Sequence, residues 1–265
     1  MREKKLDIFF LEEVAFFELD EACPASEEQY QYCIAIEKPR LTLGTLVQKA
    51  SKISDWRKDA SAFYRYMNKV CGVLRKVAKA LLHLHSQNVV HGCLSLDTVG
   101  KFDDNWKLMS VIHLREKGTA FPCAIINRNS PPEAVRLIKD DLNSLRKHRF
   151  ALHNHNPITA EPSLDIWSFG KLFFEALFAE PLFPHSHSIS FSKDFKTMET
   201  ISGWNEDNLE QVTSDLLHLG VTMLGVDLVK QCLQPRKAHR FQCMDQVLKH
   251  DFWKELKTVS GQRKN

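Results

Sequence analysis

The sequence predicts an α+β chain that is mainly helical, with a short strand-bearing part at its N-terminal end. Three observations predict this. The stretch "QYQYCIAIEKP" alternates Tyr30, Tyr32, Ile34 and Ile36 with smaller or polar residues, the period of a half-buried strand. From Leu41 onward the apolar period lengthens to three or four residues, the period of helices packed on a core. One of the later stretches, "SLDIWSFGKLFFEALF", is apolar almost all round, which suits a helix buried on every side. With 265 residues the chain can bury an ample core, as one large domain or two small ones.

The elements follow in order. The acidic, Phe-rich segment before Tyr30 fits a strand or a helix. Its basic start resembles a signal peptide, but Asp7, Glu12 and Glu13 interrupt the apolar run before it reaches a usable length. "LTLGTLVQKASKI" predicts a short helix and "SAFYRYMNKVCGVLRKVAKALLHLHSQN" a long one, apolar at every third or fourth position. Two short extended pieces, "NVVHG" and "NWKLMSV", flank the polar turn "KFDDN". The segment from Ile138 to Ser163 is polar and non-periodic and reads as a loop insertion. After the apolar helix, "AEPLFPHSHS" is a Pro-containing stop. "NLEQVTSDLLHLGVTMLGVDLVKQCL" and "RFQCMDQVLKHDFWKEL" predict further amphipathic helices, and 257–265 a basic tail.

Composition excludes several functions. There are 36 Lys and Arg against 33 Asp and Glu, a net charge of +3 that makes no case for a nucleic-acid or anionic-membrane partner. No stretch approaches the roughly 18 consecutive apolar residues of a membrane span. Seven Cys, with no CxxC pair, suit free thiols in a reducing compartment, so a cytoplasmic or otherwise intracellular location is expected. The twelve His are scattered. Pairs such as His153 and His155 lack Cys or carboxylate neighbours at metal-ligand spacing, and a solvated loop rather than a zinc site is expected there.

Residues 89–99, "VVHGCLSLDTV", have the spacing of a protein-kinase catalytic loop, in which His is followed by Arg, Asp, Leu, Lys, two further residues and Asn. Further stretches resemble the same family in its order. "YCIAIEKPRLTLGTLV" resembles its fifth strand, hinge and first helix of the C-terminal lobe, and "SPPEAVRL" the Ala-Pro-Glu end of its activation segment. "SLDIWSFGKLFFEALFAEPLF" is similar to its central helix, and "VKQCLQPRKAHRFQCMDQVLKHDFW" to its closing helices. The resemblance runs from about Gln31 to Trp253. It implies a protein-kinase-like α+β fold in which 1–40 are the remnant of a small lobe up to the hinge and 41–256 the helical C-terminal lobe. It also implies structural roles for Glu133, Asp165, Trp167, Gly170 and Arg240. Glu133 and Arg240 are expected as a buried ion pair, and the Asp165 carboxylate as acceptor for backbone N–H groups around His91.

What the resemblance does not carry over is the chemistry. His91 and Leu94 keep the pattern, but Gly92 stands for Arg, Cys93 for the proton-accepting Asp, Ser95 for Lys and Thr98 for the metal-binding Asn. "WKLMSVI" places Ser110 where the second metal ligand, an Asp, belongs. Phosphoryl transfer needs a carboxylate on the incoming hydroxyl and hard oxygen ligands for Mg²⁺. The residues before the hinge contain no Gly before Gly44, hence no phosphate-cradling turn, and Gly100 replaces a large apolar residue beneath the adenine. His91 and Cys93, two apart in an extended loop, are expected to point to opposite sides rather than to form a nucleophilic pair. The expectation is therefore a catalytically inactive, pseudokinase-type scaffold or allosteric partner of another protein, with no bound cofactor. The alternatives are an active Ser/Thr-type kinase using ATP and Mg²⁺ with atypical chemistry, or a truncated kinase fragment.

Overall fold

The computed structural model describes residues 13–18, 32–52, 59–109, 113–121, 126–147, 158–183 and 194–261. Strand β1 (Glu13–Glu18) pairs antiparallel with β2 (Tyr32–Ile36), Phe16 opposite Ile34 and Glu18 opposite Tyr32. The Phe-rich segment that fitted either element is thus a strand over these six residues. Val14, Phe16 and Phe17 are residue types that favour strands.

The chain then turns helical. After the two-residue strand β3 (Leu41–Thr42), helix α1 (Leu43–Ser51) starts where the Thr42 hydroxyl accepts from the Thr45 N–H at 3.0 Å. Helix α2 (Ala60–Ser86) starts at Asp59, whose carboxylate accepts from Ser61 and Ala62. It buries Phe63, Met67, Val70, Leu74, Val77, Leu81 and Leu84 along one side. Asn88, with φ at 58°, ends it in the left-handed region that Asn tolerates, and β4 (Val89–Val90) follows. Strands β5 (Val99–Phe102) and β6 (Asn105–Leu108) form the hairpin around the "DD" turn, and β3 adds to the free edge of β5. Strand β7 (Arg115–Glu116) pairs with β4. Strand β8 (Ala120–Phe121) pairs with β9 (Ile158–Thr159) across a long excursion.

That excursion corrects the expected loop insertion. Helix α3 runs Pro132–Lys147, so residues 138–147 are helical, and the polar segment closes on β9 before Ser163. Pro132 occupies the first helical position, where its missing N–H costs nothing. The residues beyond Ile138 lack apolar periodicity, which is why they read as loop.

Helix α4 (Pro162–Phe178) is the centre of the molecule: every residue from Ser163 to Leu177 is buried. Around it lie α5 (Phe195–Ser202), α6 (Glu206–His218), α7 (Met223–Cys232), α8 (Met244–Lys249) and α9 (Phe252–Gly261). Gly170 lets α7 approach α4, since a Cβ there would lie 2.6 Å from the Cβ of Cys232. Phe173 of α4 meets Phe252 and Trp253 edge to face, with ring centroids 5.5 and 6.2 Å apart. Among the described residues, no helix is long and apolar enough to cross a membrane.

Candidate functional site

The segment from His91 to Thr98 leaves β4 and crosses the N-terminal end of α4. Asp165, in the first turn of that helix and fully buried, holds it from below. Its Oδ2 accepts from the His91 N–H and from His85 Nε2, each at 2.8 Å, and its Oδ1 accepts from the Gly92 N–H at 2.8 Å. Burial alone would push the Asp165 carboxyl up. The hydrogen bond and charge of His85, the charge of His91 and the Gly92 amide outweigh it and leave the group below its ordinary value. His91 and Leu94 are fully buried, so both anchor the loop in the core.

The opposite side of the loop carries different groups. Cys93 is half-buried, and Asn127 Nδ2 donates to its Sγ at 3.6 Å. Burial pushes its thiol up. The Asn127 amide pulls it back, and the Asp165 charge adds to the rise. The Cys93 N–H donates to His91 Nδ1 at 3.3 Å, so ring and thiol belong to one turn, with the ring in the core. Thr98 closes the short 3-10 turn Leu96–Thr98: its Oγ1 accepts from the Ser95 N–H at 2.8 Å and donates to the Ser95 carbonyl at 3.1 Å.

Two glycines explain why neighbouring side chains are gone. Gly92 has φ at 73°, and a Cβ there would overlap the ring of Phe121 in β8. Phe121 thus fills the space beside the loop at the position where the resemblance has Arg. At Gly100 in β5, a Cβ would overlap the Met109 thioether and the Phe102 ring. The expected weakening of an adenine floor at this position becomes, in the structure, a place filled by Met109.

Glu133 and Arg240, 107 residues apart, form a two-pronged pair: Nη1 donates to Oε1 at 2.8 Å and Nη2 to Oε2 at 2.9 Å. Only the Arg240 side is buried as expected; the Glu133 carboxylate is partly exposed. Arg240 Nε donates to the Gln234 carbonyl at 2.9 Å, and its guanidinium lies over the Trp167 ring at 5.0 Å. Trp167 also meets Trp204 edge to face at 5.6 Å. The pair therefore ties α3 to the loop before α8 and to the central helix.

Beside Ser95–Asp97 opens a cleft of about 640 Å³, lined by α1, the segment 127–129 and the C-terminal half of α4. Its floor was not singled out by the sequence reading. Lys171 Nζ donates to Glu175 Oε1 and, at 2.8 Å, to Asn129 Oδ1, and Glu175 Oε1 also accepts from the Leu182 N–H at 3.0 Å. Both side chains are buried. Burial pushes the Lys171 ammonium down, against the Glu175 charge that supports it. Arg128 reaches Asp194 at 3.3 Å on the same side. Two opposite charges four apart in the apolar second half of the helix were the available signal.

Ser110, His153 and His155 lie outside the described residues. No family model matches the sequence, and no curated protein matches it. Among solved structures 1814 chains match. One is a rhoptry kinase from Toxoplasma gondii, with a TM-score of 0.61 and 14% identity over 95% of this chain. The alignment takes in 61% of that kinase, so this chain spans about three fifths of its length. At this identity the likeness shows the fold alone, and the fold is protein-kinase-like.

Proposed function

We propose that this chain is a kinase-like domain without phosphotransferase activity, which acts by binding a protein partner as a scaffold or allosteric element. The observation that carries the reading is the state of Cys93. At the position of the proton-accepting carboxylate stands a thiol that burial keeps protonated and that already receives the Asn127 amide. A neutral thiol neither orients an incoming hydroxyl by charge nor accepts its proton at neutral pH.

Two further features support it. The Thr98 hydroxyl is engaged with the Ser95 backbone on both its donor and acceptor sides, and a neutral hydroxyl is in any case a poor Mg²⁺ ligand beside a carboxylate or amide oxygen. Met109 crowds the place above Gly100 where an adenine floor is expected. The groups that hold the loop from the core side, Asp165 and His85, make the contacts a rigid platform needs. An intracellular, reducing setting accords with the free thiols of Cys71, Cys93, Cys232 and Cys243.

The test is thermal unfolding of the purified chain with and without Mg·ATP. A nucleotide held at about 100 times its Kd would stabilise a binder by about 2.7 kcal/mol, a rise of a few degrees at this size. No rise is expected. A reproducible, Mg²⁺-dependent rise of that order overturns the nucleotide side of the proposal, and phosphate transfer to a protein substrate overturns it entirely.

A further inference from the structure

Helix α2 carries no Asp or Glu among its 27 residues. Between Ala62 and His85 its exposed positions are Arg65, Lys69, Gly72, Lys76 and Lys79, so every one is a cation except the glycine at the centre. Their separations are four, three, four and three. At 1.5 Å per residue they form a straight row about 21 Å long. Lys69, Lys76 and Lys79 have no ion-pair partner among the described residues, and Arg65 donates to the Ser61 hydroxyl one turn back. A net charge of +3 for the whole chain conceals this concentration.

Two costs accompany the row. Like charges one turn apart destabilise a helix, and here no carboxylate relieves them. A glycine in a helix interior weakens it relative to alanine. The fold gives no reason for Gly72: a Cβ there would meet nothing within 4 Å, so no neighbour demands its absence. Gly170 and Gly225 face packed side chains, whereas Gly72 faces open space.

We propose that the outer face of α2 is a docking surface for an acidic α-helix of a partner protein, laid along the row with its backbone closest at Gly72. The spacing of alternating four and three residues keeps positions in line along a helix partner that crosses at a shallow angle, as in a coiled-coil seam. Carboxylates at the same spacing on the partner would meet Lys69 and Lys76 on either side of the close approach. The row offers no aromatic ring for stacking single-stranded bases and no exposed apolar side chain for entering lipid. Duplex phosphates and an anionic bilayer surface compete by charge alone, but neither uses the open approach at Gly72. The surface stands on α2 alone and does not depend on whether Cys93 is silent.

The probe is a fluorescent Ala-based peptide with Glu at alternating four- and three-residue spacing, titrated against the full chain at physiological salt. The controls are a scrambled peptide of the same composition, a short duplex DNA and phosphatidylserine-containing vesicles. The patterned peptide should bind at least about tenfold more tightly than the scrambled one, and Lys69→Glu with Lys76→Glu should cost at least about tenfold in its affinity. Gly72→Leu keeps every charge and fills open space. It should leave folding intact or raise the melting temperature, yet weaken the peptide by a comparable factor. Equal binding of patterned and scrambled peptides, absence of binding, tighter binding of duplex or vesicles, or an unaffected Gly72→Leu each overturns the proposal.

Discussion

The loop from His91 to Thr98 has two sides, and they differ in what their groups touch. On the core side, His91 and Leu94 are buried, and Asp165 satisfies two backbone amides and His85. On the open side, the side chains of Cys93 and Thr98 bond, among the described residues, within the loop and to Asn127. The residues on the core side are those the kinase resemblance retains, and those on the open side are those it loses. The difference has a physical root. Removing an acceptor from buried N–H groups leaves them unsatisfied, which costs stability whatever the protein does, whereas replacing a solvent-side carboxylate by a thiol costs the fold nothing.

That comparison can be broken most forcefully away from the loop, at the pair that ties α3 to the segment before α8. Glu133→Ala or Arg240→Ala should each destabilise by about 3–5 kcal/mol, and the double variant by much less than the sum. Arg240→Ala should be the worse of the two, since it also loses the Gln234 carbonyl and the Trp167 ring. Urea unfolding of the four chains measures this, and simple additivity would show that the pair contributes no coupling.

Next in size is the core side itself. Asp165→Ala should cost about 1–3 kcal/mol through the unsatisfied amides of His91 and Gly92. Its acid dependence sharpens the point. The folded carboxyl lies below its ordinary value, so its contribution is present above about pH 4 and is lost as pH falls from there through the folded value. Asp165→Asn should therefore flatten that part of the stability profile below about pH 4. An unchanged acid slope would mean that the carboxylate does not hold the loop as a charged group.

The smallest effect belongs to the open side. Cys93→Ala should change stability by no more than about 0.5 kcal/mol. Cys93→Asp together with Thr98→Asn should give no transfer of radiolabelled phosphate. A measurable transfer from that variant would erase the distinction between the two sides.

Much of this arrangement was legible in the sequence, and the parts that were not share a cause. Glu133, Asp165 and Arg240 stood out because motif spacing marks them, and they meet their partners across 107 and 74 residues. The α4 helix was legible because a segment with no polar face has nowhere to go but inside. The second half of α3 was not, because a polar helix has no apolar period to betray it. Nor was the Lys171–Glu175–Asn129 floor: the two charges sit four apart in α4, but Asn129 reaches Lys171 from a segment 42 residues away, and such a contact leaves no local pattern. Gly92 and Gly100 were read as losses. Only the Phe121 ring at Gly92, and the Met109 thioether and Phe102 ring at Gly100, show that a side chain at either position would displace a packed neighbour.

A helix buried from Ser163 to Leu177 has a consequence for how the molecule opens. Amide protons along it have no route to solvent through local fraying, because every neighbour would have to leave first. Their hydrogen exchange should proceed only through global unfolding and so report the full stability of the domain. Amides on the outer face of α2 should exchange through smaller openings, and faster. Native-state exchange followed by mass spectrometry would rank the two helices directly, with α4 defining the slowest unit of the fold.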